Sequence, residues 1–166
     1  REDRDAAIRI AAAMRRDGVR IVTGCNIARV QKRGAEKILS IAHGGGAEEI
    51  AADEIQIGAG RAPALHGMGL EAAGVEYDAN GITVNDYLQT TNPRIYSAGD
   101  VASAYKFTHV ADAAARIVIR NALFFGRARA SALTVPWCTY PDPEIAHVGM
   151  YADEAERRAI AVDTFT

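Results

Sequence analysis

Apolar positions at the start of the chain recur at helical spacing, with Ala7, Ile10, Ala11 and Met14 on one side of DRDAAIRIAAAMRRDG. This predicts an amphipathic helix. Acids lie in its first turn, Arg15 and Arg16 in its last, and Gly18 follows as a stop, a polarity that matches the helix dipole. VRIVTG then reads as a short buried strand, so the opening is an αβ unit without a preceding strand. From Val30 to Ile57 the period shortens to β-like runs. Lys37 to Ala42 and Glu48 to Ala51 flank HGGG, which predicts a hairpin, and DEIQIGAG closes the stretch. The glycine run lacks the lysine-serine pair and the strand-to-helix junction of a phosphate cradle, so a plain turn is the economical reading. In GVEYDANGITVND, Val75 and Tyr77 alternate into Asn80-Gly81, and Ile82 and Val84 alternate out of it. That is the favoured pattern for a two-residue hairpin turn.

NPRIYSAGD reads as a strand ending in Gly99-Asp100. A helix is predicted from Thr108 to Phe125, largely buried because it is apolar on most of its circumference, with Asp112, Arg116 and Arg120 as a narrow polar stripe and Gly126 as its stop. Beyond Arg127 the pattern shifts. RARAS is a polar link, VPWCTYPDPEIAHVGM has the prolines and β-formers of an edge-rich sheet segment, ADEAERRAI starts a helix, and AVDTFT starts a strand with nothing after it to pair against. These shifts put a domain boundary near Ala130, and the unpartnered elements at the two ends read as those of a chain cut from something longer.

Composition narrows the function classes. The 166 residues are 49% hydrophobic, enough for a core, and 19 basic against 21 acidic residues leave a formal charge of -2. No concentrated basic tract competes for phosphate backbones, which argues against a nucleic-acid partner. The longest apolar runs fall short of a membrane span, and REDRD does not serve as a signal peptide. Cys25 and Cys138 belong to no CxxC or CxxxxC motif and read as small apolar residues among β-formers. His43, His66, His109 and His147 have no HxxxH or HExxH spacing, so no metal site is predicted.

The chemistry concentrates at Gly99-Asp100. Glycine lets the backbone approach a ligand, a carboxylate accepts hydrogen bonds from sugar-like hydroxyls, and a helix start offers unpaired N–H groups to negative charge. The pair alone is a weak signal, since a turn aspartate can simply satisfy local amides. Its surroundings, TTNPRIYSAGDVASAYKFTHVADAAARIVIRNALFFG, carry T-x-x-P-x-I-Y-x-A-G-D and then Lys106, Phe107, Thr108 and His109 at a fixed offset. This segment resembles the second flavin-binding segment of pyridine nucleotide-disulfide oxidoreductases, the family of dihydrolipoamide dehydrogenase, glutathione reductase and mercuric reductase. The resemblance implies that Asp100 binds the ribityl chain of FAD. It also implies that Lys106 to His109 sit at a helix start whose N–H groups face the flavin pyrimidine and favour negative charge there.

Upstream, ADEIQIGAGRAPAL resembles the family's return from the nicotinamide domain to the FAD domain, with Gly60 at the glycine whose backbone approaches NAD(P)H and Arg61 at the arginine that follows. Downstream, VPWCTYPDPEIAHVGM resembles the opening of the dimerisation domain, with Tyr140 standing where threonine is usual. The order implies an α/β fold: a fragment of a flavoprotein with two dinucleotide-binding domains, plus the start of an α+β dimerisation domain. The expected divisions are residues 1–57 for the end of the NAD(P)-binding domain, 58–130 for the second segment of the FAD-binding domain and 131–166 for the start of the dimerisation domain. The helix from Thr108 and PWCTY look most like mercuric reductase-like members.

The resemblance further implies FAD and NAD(P)H as cofactors, a homodimer formed through the segment after Ala130, dithiol or metal substrates and a cytoplasmic enzyme. The two GxGxxG fingerprints, the CxxxxC redox pair and the His-x-x-x-x-Glu pair of the family are absent from these residues, so no catalytic residue is expected here and the chain alone is expected to be inactive. Two other readings stand beside this one: a non-catalytic nucleotide-binding or interaction module, and a flavin-dependent NADH dehydrogenase, against which the segment after Ala130 argues.

Overall fold

The computed structural model describes residues 2–165, and its first helix, α1 (Arg4–Arg16), starts where the Asp3 carboxylate accepts the Arg4 amide at 2.8 Å. Arg15 and Arg16 occupy its last turn and Gly18 leaves it at φ +85°. Its inward line is Ala6, Ile10 and Ala13, while Ala7 and Met14 are exposed. The expected face is therefore rotated by about one position. Nearly every residue from Ala6 to Met14 is apolar, so the pattern fixes the helix but not its phase.

Three strands follow as an antiparallel meander: β1 (Asn26–Arg33), β2 (Glu36–His43) and β3 (Gly46–Ala52), with β2 in the middle. The glycine run makes the second turn, with Gly44 and Gly45 both at positive φ. The register sets Val30 opposite Leu39 and Leu39 opposite Ile50, one apolar row across the sheet. Ile38 and Ile41 are its buried residues. By contact density this unit comprises residues 1–59 with 140–143, and a second comprises 60–139 with 144–166.

In the second unit β4 (Tyr77–Asp78) and β5 (Gly81–Ile82) form the hairpin expected at Asn80-Gly81. The Asp78 carboxylate accepts the Asn80 and Gly81 amides and closes the turn. Ile82 joins Leu65, Leu70 and Val75 in one buried cluster. A second cluster joins Leu88 to Ala114 and Ile117 of helix α2 (Thr108–Leu123), and Val84 packs against both. A 3-10 turn at Ala130–Ala132, the hairpin of β6 (Pro136–Thr139) and β7 (Ile145–Val148), and α3 (Ala152–Arg157) complete the unit.

Four expected strands are not formed. VRIVTG, DEIQIG, NPRIYSAGD and AVDTFT as far as Phe165 have no ladder, apart from an isolated bridge between Gln89 and Tyr96. A strand exists through its partner, and the only described segment alongside any of these is Leu88–Thr90, which meets Ile95–Ser97 in that one short antiparallel contact. Helix α2 is not largely buried either. Only Val110, Ala114 and Ile117 are buried, while Ile119 and Leu123 are 51% and 69% exposed. Arg1, in the charged opening, and Thr166, in the expected last strand, lie outside the described residues.

Candidate functional site

Gly99 and Asp100 lead into a short loop that ends at the start of α2. Gly99 sits at φ +88°, and a Cβ there would stand 3.6 Å from the Ala111 Cβ, so the turn passes close over the helix. The Gly99 carbonyl accepts the Ala102 amide at 3.1 Å, which closes the turn after Asp100. Two cations then fasten the loop. Lys106 Nζ donates to the Asp100 carbonyl at 2.7 Å and to the Ser103 carbonyl at 3.3 Å. Arg61 Nη1 donates to the Lys106 carbonyl at 3.0 Å and lies 3.8 Å from Asp100 Oδ2.

The Asp100 carboxylate itself stays available. Its side chain is 46% exposed, and Arg61 at salt-bridge range is its recorded partner. Each carboxylate oxygen can accept more than one hydrogen bond, so acceptor capacity remains for polar hydroxyls. Next to it α2 begins without a side-chain cap and without an acid in its first turn; Phe107 occupies the capping position in an extended conformation. The first-turn amides are thus unneutralised donors at the positive end of a helix of 16 residues. Thr108 and His109 are exposed on that turn, and Lys106 and Phe107 are half-buried behind it.

An aromatic group backs this start. The Phe107 ring stacks on His109 with centroids 5.5 Å apart and lies nearly parallel to Trp137 at 6.4 Å. His109 Nε2 donates to the Pro136 carbonyl at 2.7 Å, which ties the first turn of α2 to β6. His147 lies between Trp137 and Tyr151, tilted against the first at 4.1 Å and stacked on the second at 3.8 Å. Sequence reasoning named Phe107 and His109 but missed Trp137, His147 and Tyr151 as their neighbours, because the group is assembled from two separate stretches, PWCTY and IAHVGMY, and no spacing within either announces it.

Of the residues singled out from sequence, Arg61, Gly99, Asp100 and Lys106 to His109 are gathered around this loop. Gly60 sits beside it in the chain at φ +110°, exposed, with nothing within 4 Å of a hypothetical Cβ. A cavity of about 630 Å³ touches Gly99 and is lined by Leu88, Val110, Met150 and Arg158 among others. A smaller one of about 440 Å³ touches Lys106 together with Asp78 and Asn80. Asp100, Arg61, Thr108 and His109 line neither and present an open face. Such a face fits one wall of a site for a ligand that brings hydroxyls toward the carboxylate and electronegative atoms toward the helix start. Among the described residues no three His, Cys, Asp or Glu side chains converge on a metal position, and no helix is long and apolar enough to cross a membrane. Cys25 and Cys138 are free thiols.

The sequence profile of the pyridine nucleotide-disulphide oxidoreductase family matches residues 1–115. A mercuric reductase of Bacillus cereus is 36% identical over 156 residues, covering 93% of this chain and 25% of that protein. A dihydrolipoyl dehydrogenase of Thermus scotoductus is 35% identical over 158 residues, covering 93% of this chain and 34% of that protein. The chain thus spans between a quarter and a third of these relatives. Its backbone is similar to part of the HOCl-induced flavoprotein disulfide reductase RclA from Escherichia coli, with a TM-score of 0.83 at 29% identity over 95% of this chain and 36% of that one.

Proposed function

This chain belongs to the pyridine nucleotide-disulphide oxidoreductase family, and from that premise we propose that it supplies one wall of the FAD site of an enzyme that passes reducing equivalents from NAD(P)H to a disulfide and on to dithiol or metal substrates. The observation that carries this reading is the pairing of the half-exposed Asp100 carboxylate with the uncapped, acid-free start of α2. The carboxylate accepts bonds from ribityl hydroxyls, and the first-turn amides from Thr108 onward donate to the pyrimidine carbonyl of the flavin. Bound there, FAD supplies the hydride acceptor between nicotinamide and disulfide. Neither Cys25 nor Cys138 has a partner at redox-pair spacing, so the disulfide chemistry falls to residues outside this sequence.

In the same reading residues 1–57 belong to the NAD(P)-binding domain, 58–130 to the FAD-binding domain and 131–166 to the dimerisation domain of a cytoplasmic homodimer. Gly60 then serves as the close-approach point for NAD(P)H. Its exposure, its positive φ and the open space around it support that role.

FAD titrated into the labelled chain and followed by amide NMR tests the site. Because the pyrophosphate-gripping glycine motif is absent from this sequence, binding is expected to be weak, in fast exchange, with shifts confined to Gly99–Asp100 and Phe107–Val110. Shifts elsewhere only, or none at millimolar FAD, would sink the assignment.

A further inference from the structure

The two cations at the loop have no assigned task, and their contacts point in one direction. Lys106 occupies the carbonyls of Asp100 and Ser103, and Arg61 occupies the carbonyl of Lys106 itself. The peptide joining Lys106 to Phe107 is trans, so its C=O and N–H point to opposite sides. With the oxygen held by the Arg61 guanidinium, the Phe107 N–H is turned away from Arg61, and no backbone carbonyl among the described residues accepts it. The Phe107 amide thereby joins the unneutralised donors at the start of α2, and a cation on its own carbonyl polarises it into a stronger donor.

We propose that Arg61 is a positioning residue that fixes the loop from Asp100 to Phe107 and aims the Phe107 amide. Arg61 lies in GAGR, the segment that leaves the first compact unit, whereas Asp100 and Lys106 lie 39 and 45 positions further on in sequence. The guanidinium is therefore the long-range tie of this loop, and Lys106 is the local one. A guanidinium suits the task because its planar, fixed Nη1 donates to the Lys106 carbonyl while its charge stays within ion-pair range of the Asp100 carboxylate. The side chain is 71% exposed, so it contributes little to packing and its removal leaves the buried clusters intact. The functional consequence rests on the flavin reading above: two positive groups behind the loop and one additional aimed amide favour negative charge on whatever occupies the face beside Asp100.

The test uses the chain itself with Arg61→Met and Arg61→Lys, read by amide hydrogen exchange and NMR without flavin. Arg61→Met is expected to speed exchange of the loop amides of Ala102 and Tyr105 about tenfold, as loss of one tie in a local opening reaction does. It is also expected to move the Phe107 amide proton upfield, while Val75 and Thr90, whose amides bond to Leu70 and Ile95 outside the loop, keep their exchange rates and the melting temperature is unchanged. Arg61→Lys is expected to restore part of the Phe107 shift. Unchanged loop exchange, or equal acceleration at Val75 and Thr90, overturns the proposal; the second result would make Arg61 a general stabiliser. FAD titration of wild-type chain reads the flavin assignment separately. A clamp signature without FAD-induced shifts at the loop keeps the positioning role and removes the flavin reading, and FAD shifts unaltered by Arg61→Met remove the positioning role.

Discussion

Arg20 grips Glu48 through two parallel hydrogen bonds, Nη1 to Oε1 at 2.5 Å and Nη2 to Oε2 at 2.7 Å, and His43 Nε2 lies 3.4 Å from the same carboxylate. The Arg20 bonds first, and the His43 contact second, hold the Glu48 pKa down at about 2. A depressed folded-state pKa means that the contribution is complete above the ordinary value of 4.5 and is lost as the pH falls toward 2. The β-meander is therefore expected to lose the tie from Arg20 to β3 in that window. A side-chain ¹³C titration of Glu48 should give a midpoint near 2 in the wild type and one shifted up toward the ordinary value in Arg20→Met, where only the His43 contact remains. A wild-type midpoint already near 4.5 would show that the pair does not persist in solution.

The features legible in the sequence were those decided by neighbours along the chain. Asn80-Gly81 announced its hairpin, the glycines after His43 announced theirs, and Gly99-Asp100 followed by Thr108 announced a loop feeding a helix. What stayed hidden depends on partners distant in sequence. VRIVTG and NPRIYSAGD have strand composition, yet a parallel strand needs a ladder from elsewhere, and the described residues supply none. The Arg61 contact with Lys106 spans too many residues for spacing to reveal, although both residues were singled out for other reasons. The phase of α1 was invisible for a different cause: alanine on every side gives periodicity little to weigh.

Gly81 is fixed by space as well as by turn geometry. A Cβ at this position would stand 2.2 Å from the Val101 carbonyl oxygen, and its φ of +146° is one that L side chains rarely adopt. The close approach also lets the Ile82 amide reach Val101 O at 2.7 Å. Gly81→Ala must push β5 off that carbonyl and disturb Ile82 in its cluster, with an expected cost of about 2 kcal/mol or more. Urea unfolding of the variant measures it; a midpoint equal to wild type would mean that the loop from Val101 yields freely.

Asn121 ties the end of α2 to the segment that leaves it. Its amide nitrogen donates to Ala128 O at 2.8 Å and Tyr87 O at 3.2 Å, and its amide oxygen accepts the Ala128 N–H at 2.8 Å. Asn121→Ala leaves partly buried backbone groups without partners, for an expected loss of about 1–3 kcal/mol. Asn121→Asp is expected to be the worse change above neutral pH, because a carboxylate sets negative charge against two carbonyl oxygens. Denaturation at two pH values separates the variants. A carboxylate variant that is no worse than alanine at pH 7.5 would show that water fills the gap.

Asp100 decides between a ligand site and a turn. If its carboxylate accepts ribityl hydroxyls, Asp100→Ala removes charge-assisted hydrogen bonds worth about 1.5–3 kcal/mol, a tenfold to hundredfold weakening of FAD binding. Asp100→Asn is expected to fall between, because its amide oxygen still accepts while the charge is gone. The surrounding loop should survive both changes, since the Lys106 contact uses the Asp100 backbone carbonyl and Arg61 still reaches the Lys106 carbonyl. An aspartate serving only the fold behaves differently: its loss lowers the melting temperature with and without FAD by the same amount and leaves affinity alone. NMR titrations of FAD into wild type and both variants, paired with thermal melts, give the two readouts side by side. Equal FAD affinity in wild type and Asp100→Ala would take the carboxylate out of the site and leave the start of α2 as its only anchor.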